Sequence, residues 1–167
     1  FNTVTRADNR PLQDAAVSSR LKIPIFFAYD VVHGHRTIFP ISLALASSWD
    51  MQAVALAGRT SAIEAAADGI DMTFAPMVDI THDPRWGRTS EGFGEDPYLV
   101  SMSGATMVKA FQGAAPNTAD SLMAIVKHFA LYGAVEGGRD YNTVDMSPVR
   151  MYQEYLPPYN CLLYTSD

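Results

Sequence analysis

With 167 residues, 48% of them hydrophobic, and a mean hydropathy of -0.01, the chain has the composition of a globular domain or of a piece of one. A net charge of -6 and a pI near 5.1 exclude nucleic acid as an expected partner, because an acidic chain gains nothing from a phosphate backbone. No apolar run reaches the length of a membrane span, and the single cysteine, Cys161, cannot form an internal disulfide.

The pattern then alternates, without repeats or low-complexity linkers. "RPLQDAAVSSRL" reads as a helix with Pro11 near its first turn, where a missing N–H costs little. "KIPIFFAY", residues 22–29, follows as an apolar strand. Asp50 is placed to cap a long helix, "MQAVALAGRTSAIEAAAD". Val54, Ile63 and the alanines recur there at helical spacing, and Gly69 lies just past the end. "IDMTFAP", residues 70–76, is the second strand, and a polar loop runs over residues 77–95.

Asp96 and Pro97 form the next helix start, with Val100, Met107, Val108 and Phe111 on the inner face and Gly113 as the stop. "SLMAIV", residues 121–126, is the third strand, and a second long loop covers residues 130–146. Ser147 and Pro148 open a last helix, "PVRMYQEYL", which Pro157 and Pro158 are expected to end.

Strands alternating with helices imply parallel pairing through crossovers. Either a barrel or an open doubly wound sheet meets that requirement. No strand is followed by a glycine-rich phosphate loop, and the glycines of "GRTSEGFGED" fit a dinucleotide fingerprint poorly, which favours the barrel. The expected class is therefore α/β: the N-terminal part of a TIM-type (β/α)8 barrel.

In such a barrel, functional side chains gather where the strands end. The first strand runs into Asp30, His33 and His35. The second runs into Asp79, His82, Asp83, Arg85 and Arg88. The third runs into Lys127 and His128. Two basic groups at the tip of an apolar strand need a carboxylate or a polar pocket, because a buried ammonium alone is costly.

Several of these groups have plainer readings. His33 and His35 read first as loop histidines bonded to backbone. Arg85 or Arg88 reads as a loop staple on Asp83, Glu91 or Glu95. Trp49 and Phe129 read as core, and Glu136, Arg139 and Asp140 as solvated loop. A rim of Asp, Arg, Lys and His with neither a cysteine cluster nor a phosphate loop suits a sugar ring. Each hydroxyl both donates and accepts, and charged partners make those bonds strong.

Three stretches, "YDVVHGHRTIFPISLALASSWD", "FAPMVDITHDPRWGRTSEGFGEDPYL" and "IVKHFALYGAVEGGRDYN", together resemble the N-terminal barrel domain of family 3 glycoside hydrolases. The likeness is to the bacterial β-glucosidase branch, periplasmic in many Gram-negative species. It implies a retaining mechanism with two carboxyl groups, on terminal non-reducing β-D-glucosyl residues of oligosaccharides. It implies that Asp30, Arg88, Lys127 and His128 bind one sugar ring, with Lys127 opposite Asp30. It implies no cofactor and no metal, and a periplasmic or secreted location. The family's N-acetylglucosaminidase branch carries a proline–glycine–histidine loop after Lys-His-Phe. "KHFALYGA" lacks that loop, which favours a glucosidase or a β-xylosidase.

The family's nucleophilic aspartate follows a later strand, and its acid/base glutamate belongs to a following domain. Neither segment is recognisable here. Ser166–Asp167 imitates the nucleophile's Ser-Asp but lacks the preceding glycine and strand. From Asn160 the sequence departs from the family pattern. Residues 1–159 are therefore expected to be an incomplete barrel domain and residues 160–167 a non-native tail. The chain alone is expected to have no turnover and to leave open strand edges and an uncovered apolar face. Two rivals stand beside this reading. One is a metal-dependent barrel hydrolase using His33 and His35 of "HGH", although Lys127 beside His128 would repel a cation. The other is a sugar-binding module without catalysis.

Overall fold

The computed structural model describes residues 5–165. Helix α1, Arg6–Ser18, begins a turn earlier than Pro11 suggests, because Thr5 caps it and accepts from the Asp8 N–H. Pro11 therefore lies inside the helix. The Ala7 carbonyl, which loses its helix donor at Pro11, belongs to an exposed residue that water can reach. Buried Asn9 donates to the carbonyls of Asp68 and Gly69 and ties α1 to the far end of a later helix.

Three parallel strands, β1 (Ala28–Tyr29), β2 (Met72–Thr73) and β3 (Met123–Ala124), lie side by side in chain order. Ala28 pairs with Met72 and Met72 with Met123. A doubly wound sheet reverses its order at a switch point. The sequential order here is that of a barrel arc. The paired segments are shorter than the apolar runs suggest. Pro76, beyond the end of β2, has no N–H to donate, and a parallel bridge between Met77 and Lys127 resumes the pairing past it.

A short helix, α2 (Ser42–Ser47), was not expected. Its six residues are too few for a helical period to show in the sequence. Helix α3, Met51–Ala67, packs against α4, Pro97–Gln112, and α4 packs against β3. Both long helices start where a carboxylate meets orphan N–H groups. Asp50 accepts from Gln52 and Ala53, and Asp96 accepts from Leu99. Gly113 ends α4 at φ +61, a backbone state that glycine enters without a side-chain clash. Val100, Met107, Val108 and Phe111 bury one face of α4, each contributing about 1.5–3 kcal/mol. Val54, Ala57, Ala62 and Ala65 line the buried face of α3, whereas Ile63 is exposed.

The helices cover one face of the sheet, where Phe27, Val31, Thr73, Ala75 and Leu122 are buried. Alternate residues Phe26, Phe74 and Met123 are exposed on the other face. The strands are therefore buried on one side only.

Ser147 caps a single turn, α5 (Pro148–Arg150), which widens into a π-turn over Met151–Tyr155. Pro157 and Pro158 do not end the helical path. Helix α6, Pro157–Thr165, begins there, since the first helical position needs no N–H. It packs on α4 through buried residues that include Tyr159 and Leu162. The expected tail starts inside α6, and Ser166 and Asp167 lie outside the described residues. Among the described residues no helix is long and apolar enough to cross a membrane.

Candidate active site

Asp30 follows β1 directly, and Lys127 lies just beyond β3. Lys127 Nζ donates to Asp30 Oδ1 at 2.9 Å. The ammonium is sunk, its side chain 12% exposed, while the carboxylate stands at the rim at 60%. The cation at the end of an apolar strand thus has the partner its burial requires.

His128 is held from three sides. Its backbone N–H donates to Asp79 Oδ2 at 3.0 Å, and its ring Nδ1 lies 2.8 Å from the same oxygen. Its carbonyl accepts from the Tyr159 hydroxyl at 2.6 Å. Burial, followed by the charge of Asp79, pushes the Tyr159 phenol above its ordinary range. The Lys127–His128 and Phe129–Ala130 peptide bonds are cis. The Tyr132 ring meets the imidazole edge-to-face, with centroids 4.8 Å apart.

Arg88 makes a bidentate pair with Glu91, Nε to Oε1 at 2.7 Å and the terminal nitrogen to Oε2 at 2.8 Å. That pairing raises the guanidinium pKa and holds the Glu91 carboxyl below its ordinary range, with the charge of Lys127 adding to the second effect. The guanidinium also sits 5.5 Å from the centroid of the Tyr132 ring. Tyr132 donates to Asp140 at 2.5 Å, and the Trp86 indole donates to the same oxygen at 2.9 Å. Burial and the bond to Asp140 push the Tyr132 phenol up to about 12.

A cavity of about 360 Å³ opens beside these groups, lined by residues that include Tyr29, Asp30, His33, Ile38 and Glu91. The carboxylate paired with Lys127 and the one paired with Arg88 therefore border a common space. Its rim offers acceptors backed by fixed cations, an arrangement suited to a polyhydroxyl ligand.

Known proteins resolve the family. The family model described as "Glycosyl hydrolase family 3 N terminal domain" matches residues 2–166. The chain belongs to glycosyl hydrolase family 3. This family 3 chain is 66% identical over 160 residues to the periplasmic beta-glucosidase of Salmonella typhimurium, covering 95% of the chain and 21% of that protein. It is 33% identical over 159 residues to a beta-xylosidase of Formosa agariphila, covering 88% of the chain and 22% of that protein. The crystal structure of the Listeria innocua beta-glucosidase in complex with isofagomine superposes with a TM-score of 0.95 at 46% identity, covering 98% of the chain and 24% of that structure. The family 3 chain thus spans about a fifth of the length of the Salmonella and Formosa relatives.

Some expectations for the family 3 chain are corrected by its structure. Trp49 and Phe129 are not core: they are 68% and 82% exposed, and Phe129 stacks edge-on against Tyr159 at 5.4 Å. Asp140 is not simply solvated but anchors Trp86 and Tyr132. His33 Nδ1 does meet a backbone carbonyl, that of Phe39 at 3.2 Å, whereas His35 Nε2 meets the Asp68 carboxylate at 2.8 Å. Arg36 and then His35 hold that carboxyl below its ordinary range. The two histidines of "HGH" are thus committed to separate partners. Among the described residues no three His, Cys, Asp or Glu side chains are grouped to hold a metal.

Both arginines beside Trp86 are stapled, Arg88 to Glu91 and Arg85 to Asp83, whose carboxyl falls to about 2. The roles of Asp79, Tyr132, Asp140 and Tyr159 were not foreseen. Asp79 had the clearest signal, a lone carboxylate inside the apolar run "APMVDI", which can be buried only with partners.

Proposed function

We propose that the family 3 chain is the sugar-positioning part of a retaining β-glucosidase acting on terminal non-reducing β-D-glucosyl residues of oligosaccharides. The observation that carries this is the cavity bordered by Asp30 and Glu91, each carboxylate paired with a cation, Lys127 and Arg88 respectively. Asp30 accepts hydrogen bonds from sugar hydroxyls, while Lys127 and Arg88 donate to sugar oxygens and His128 completes the wall. Holding the ring from both sides fixes the anomeric carbon, and a misplaced hydroxyl leaves a desolvated charge unpaired.

Retaining hydrolysis needs two further carboxyl groups, a nucleophile and an acid/base. In this reading neither is among Asp30, Arg88, Lys127 and His128, and the chain alone has no turnover. The reaction calls for no cofactor. The name of the Salmonella relative supports a periplasmic site of action within this reading.

A second reading, β-xylosidase, is favoured by the Formosa relative. The 66% identity to a beta-glucosidase outweighs it. Assaying the longer protein on aryl β-glucoside and aryl β-xyloside separates the two. The proposal expects the glucoside to be preferred, and a xyloside preference overturns it. Substantial hydrolysis by this chain alone overturns its assignment as the positioning part.

A further inference from the structure

We infer that Asp79 is a positioning residue that fixes His128 as the Nδ1–H tautomer, so that the neutral ring presents Nε2 to the sugar as an acceptor. The step to the sugar rests on the functional reading above, but the tautomer does not. Asp79 follows β2 with its side chain 1% exposed, and one of its oxygens serves two nitrogens of one residue. The backbone N–H of His128 can only donate, so Oδ2 is an acceptor there. A bare Nδ1 lone pair at 2.8 Å from that oxygen would face it acceptor to acceptor. Imidazole is the stronger base of the two groups, so the shared proton belongs on Nδ1. In the neutral ring, Nε2 is then left with its lone pair.

The surroundings hold that geometry. Tyr159 fixes the His128 carbonyl from α6, and Tyr132 abuts the ring edge-to-face at 4.8 Å. Rotation that would exchange the two nitrogens has to break the bond to Asp79. The consequence for recognition is a division of labour. Lys127 and Arg88 can only donate, and Asp30 at the rim can only accept. His128 then adds a second acceptor on the Lys127 side of the cradle, matched to a hydroxyl that points its proton at the ring.

Two measurements test this. The first is the nitrogen chemical shifts of His128 in labelled chain, at a pH where its own titration shows the ring neutral. The Nδ1–H form is expected in the wild type and in Asp79→Asn, whose amide oxygen is kept in place by the backbone N–H. Asp79→Ala is expected to release the ring to the Nε2–H form that free imidazole favours. An Nε2–H ring in the wild type overturns the inference, and the wild-type and Asp79→Asn spectra decide it even where Asp79→Ala fails to fold.

The second is the KM of the longer protein. Asp79→Ala is expected to raise it about three- to tenfold, the loss of one hydrogen bond, while Asp79→Asn stays within about twofold. Equal losses in the two variants overturn positioning through the tautomer. Absent glucosidase activity in the wild type sinks the functional reading instead, and the tautomer is then decided by the nitrogen shifts alone.

Discussion

Lys127 Nζ and Asp30 Oδ1 lie 2.9 Å apart although the residues are 97 positions apart in the chain and follow the two outer strands of the arc. Their burial is unequal, and this predicts an asymmetry. Asp30→Ala strands a sunken ammonium and should cost about 1–3 kcal/mol. Lys127→Met leaves a carboxylate already at the rim and should cost less than about 1 kcal/mol. Urea denaturation of the two variants measures the difference, and equal costs would show that burial does not set the energetics of the pair.

Glu91 gives a pH prediction. Its folded carboxyl lies below the ordinary range because Arg88 bonds the ionised form. A depressed carboxyl contributes stability above its unfolded pKa and loses it as pH falls through the folded value. The melting temperature should therefore drop on acidification below about pH 4.5, and Glu91→Gln should make that part of the curve shallower. A Glu91→Gln profile parallel to the wild type removes the pair from the acid response.

Gly133 lies where the loops following β2 and β3 meet. A Cβ there would stand 2.2 Å from the Ile80 carbonyl oxygen, a backbone atom that cannot swing away. Gly133→Ala should destabilise by about 1–3 kcal/mol through overpacking and displace the neighbouring Tyr132 from His128. Gly87→Ala is the control. A Cβ at that position meets nothing within 4 Å, and its effect should stay within about 0.5 kcal/mol. Thermal unfolding of both, with the His128 ring resonances as a local probe, checks the contrast.

The helix caps give the most local prediction. Asp50→Ala removes an acceptor for the N–H groups of Gln52 and Ala53 and should cost about 1 kcal/mol. Asp50→Asn should recover most of it, because the amide oxygen caps as well as the carboxylate does. Chemical denaturation at neutral pH distinguishes the two.

These caps were legible in the sequence because their causes are local: Asp50, Asp96, Pro97 and Gly113 act within a few residues of where they stand. The strand order was legible through alternation and the absence of a phosphate loop. What was not legible depends on distant packing. Trp49 and Phe129 carry the composition of core yet lie exposed, because no described element covers them. Pro157 reads equally as a stop or a start, and only the packing of α6 on α4 decides for the start. Asp30, Arg88, Lys127 and His128 were visible at strand ends. Asp79 and Asp140 were visible only as residues, since their meaning lies in Nδ1 of His128 and in the donors of Trp86 and Tyr132.

In the proposed function, Lys127 grips the sugar ring of a β-glucoside that the longer protein would hydrolyse. Measuring kcat/KM of that protein on an aryl β-glucoside, wild type against Lys127→Met with folding checked by circular dichroism, tests it most directly. Loss of a charged hydrogen bond of about 1.5–3 kcal/mol predicts a fall of at least about tenfold. A folded Lys127→Met enzyme within about twofold of the wild type would contradict the claim.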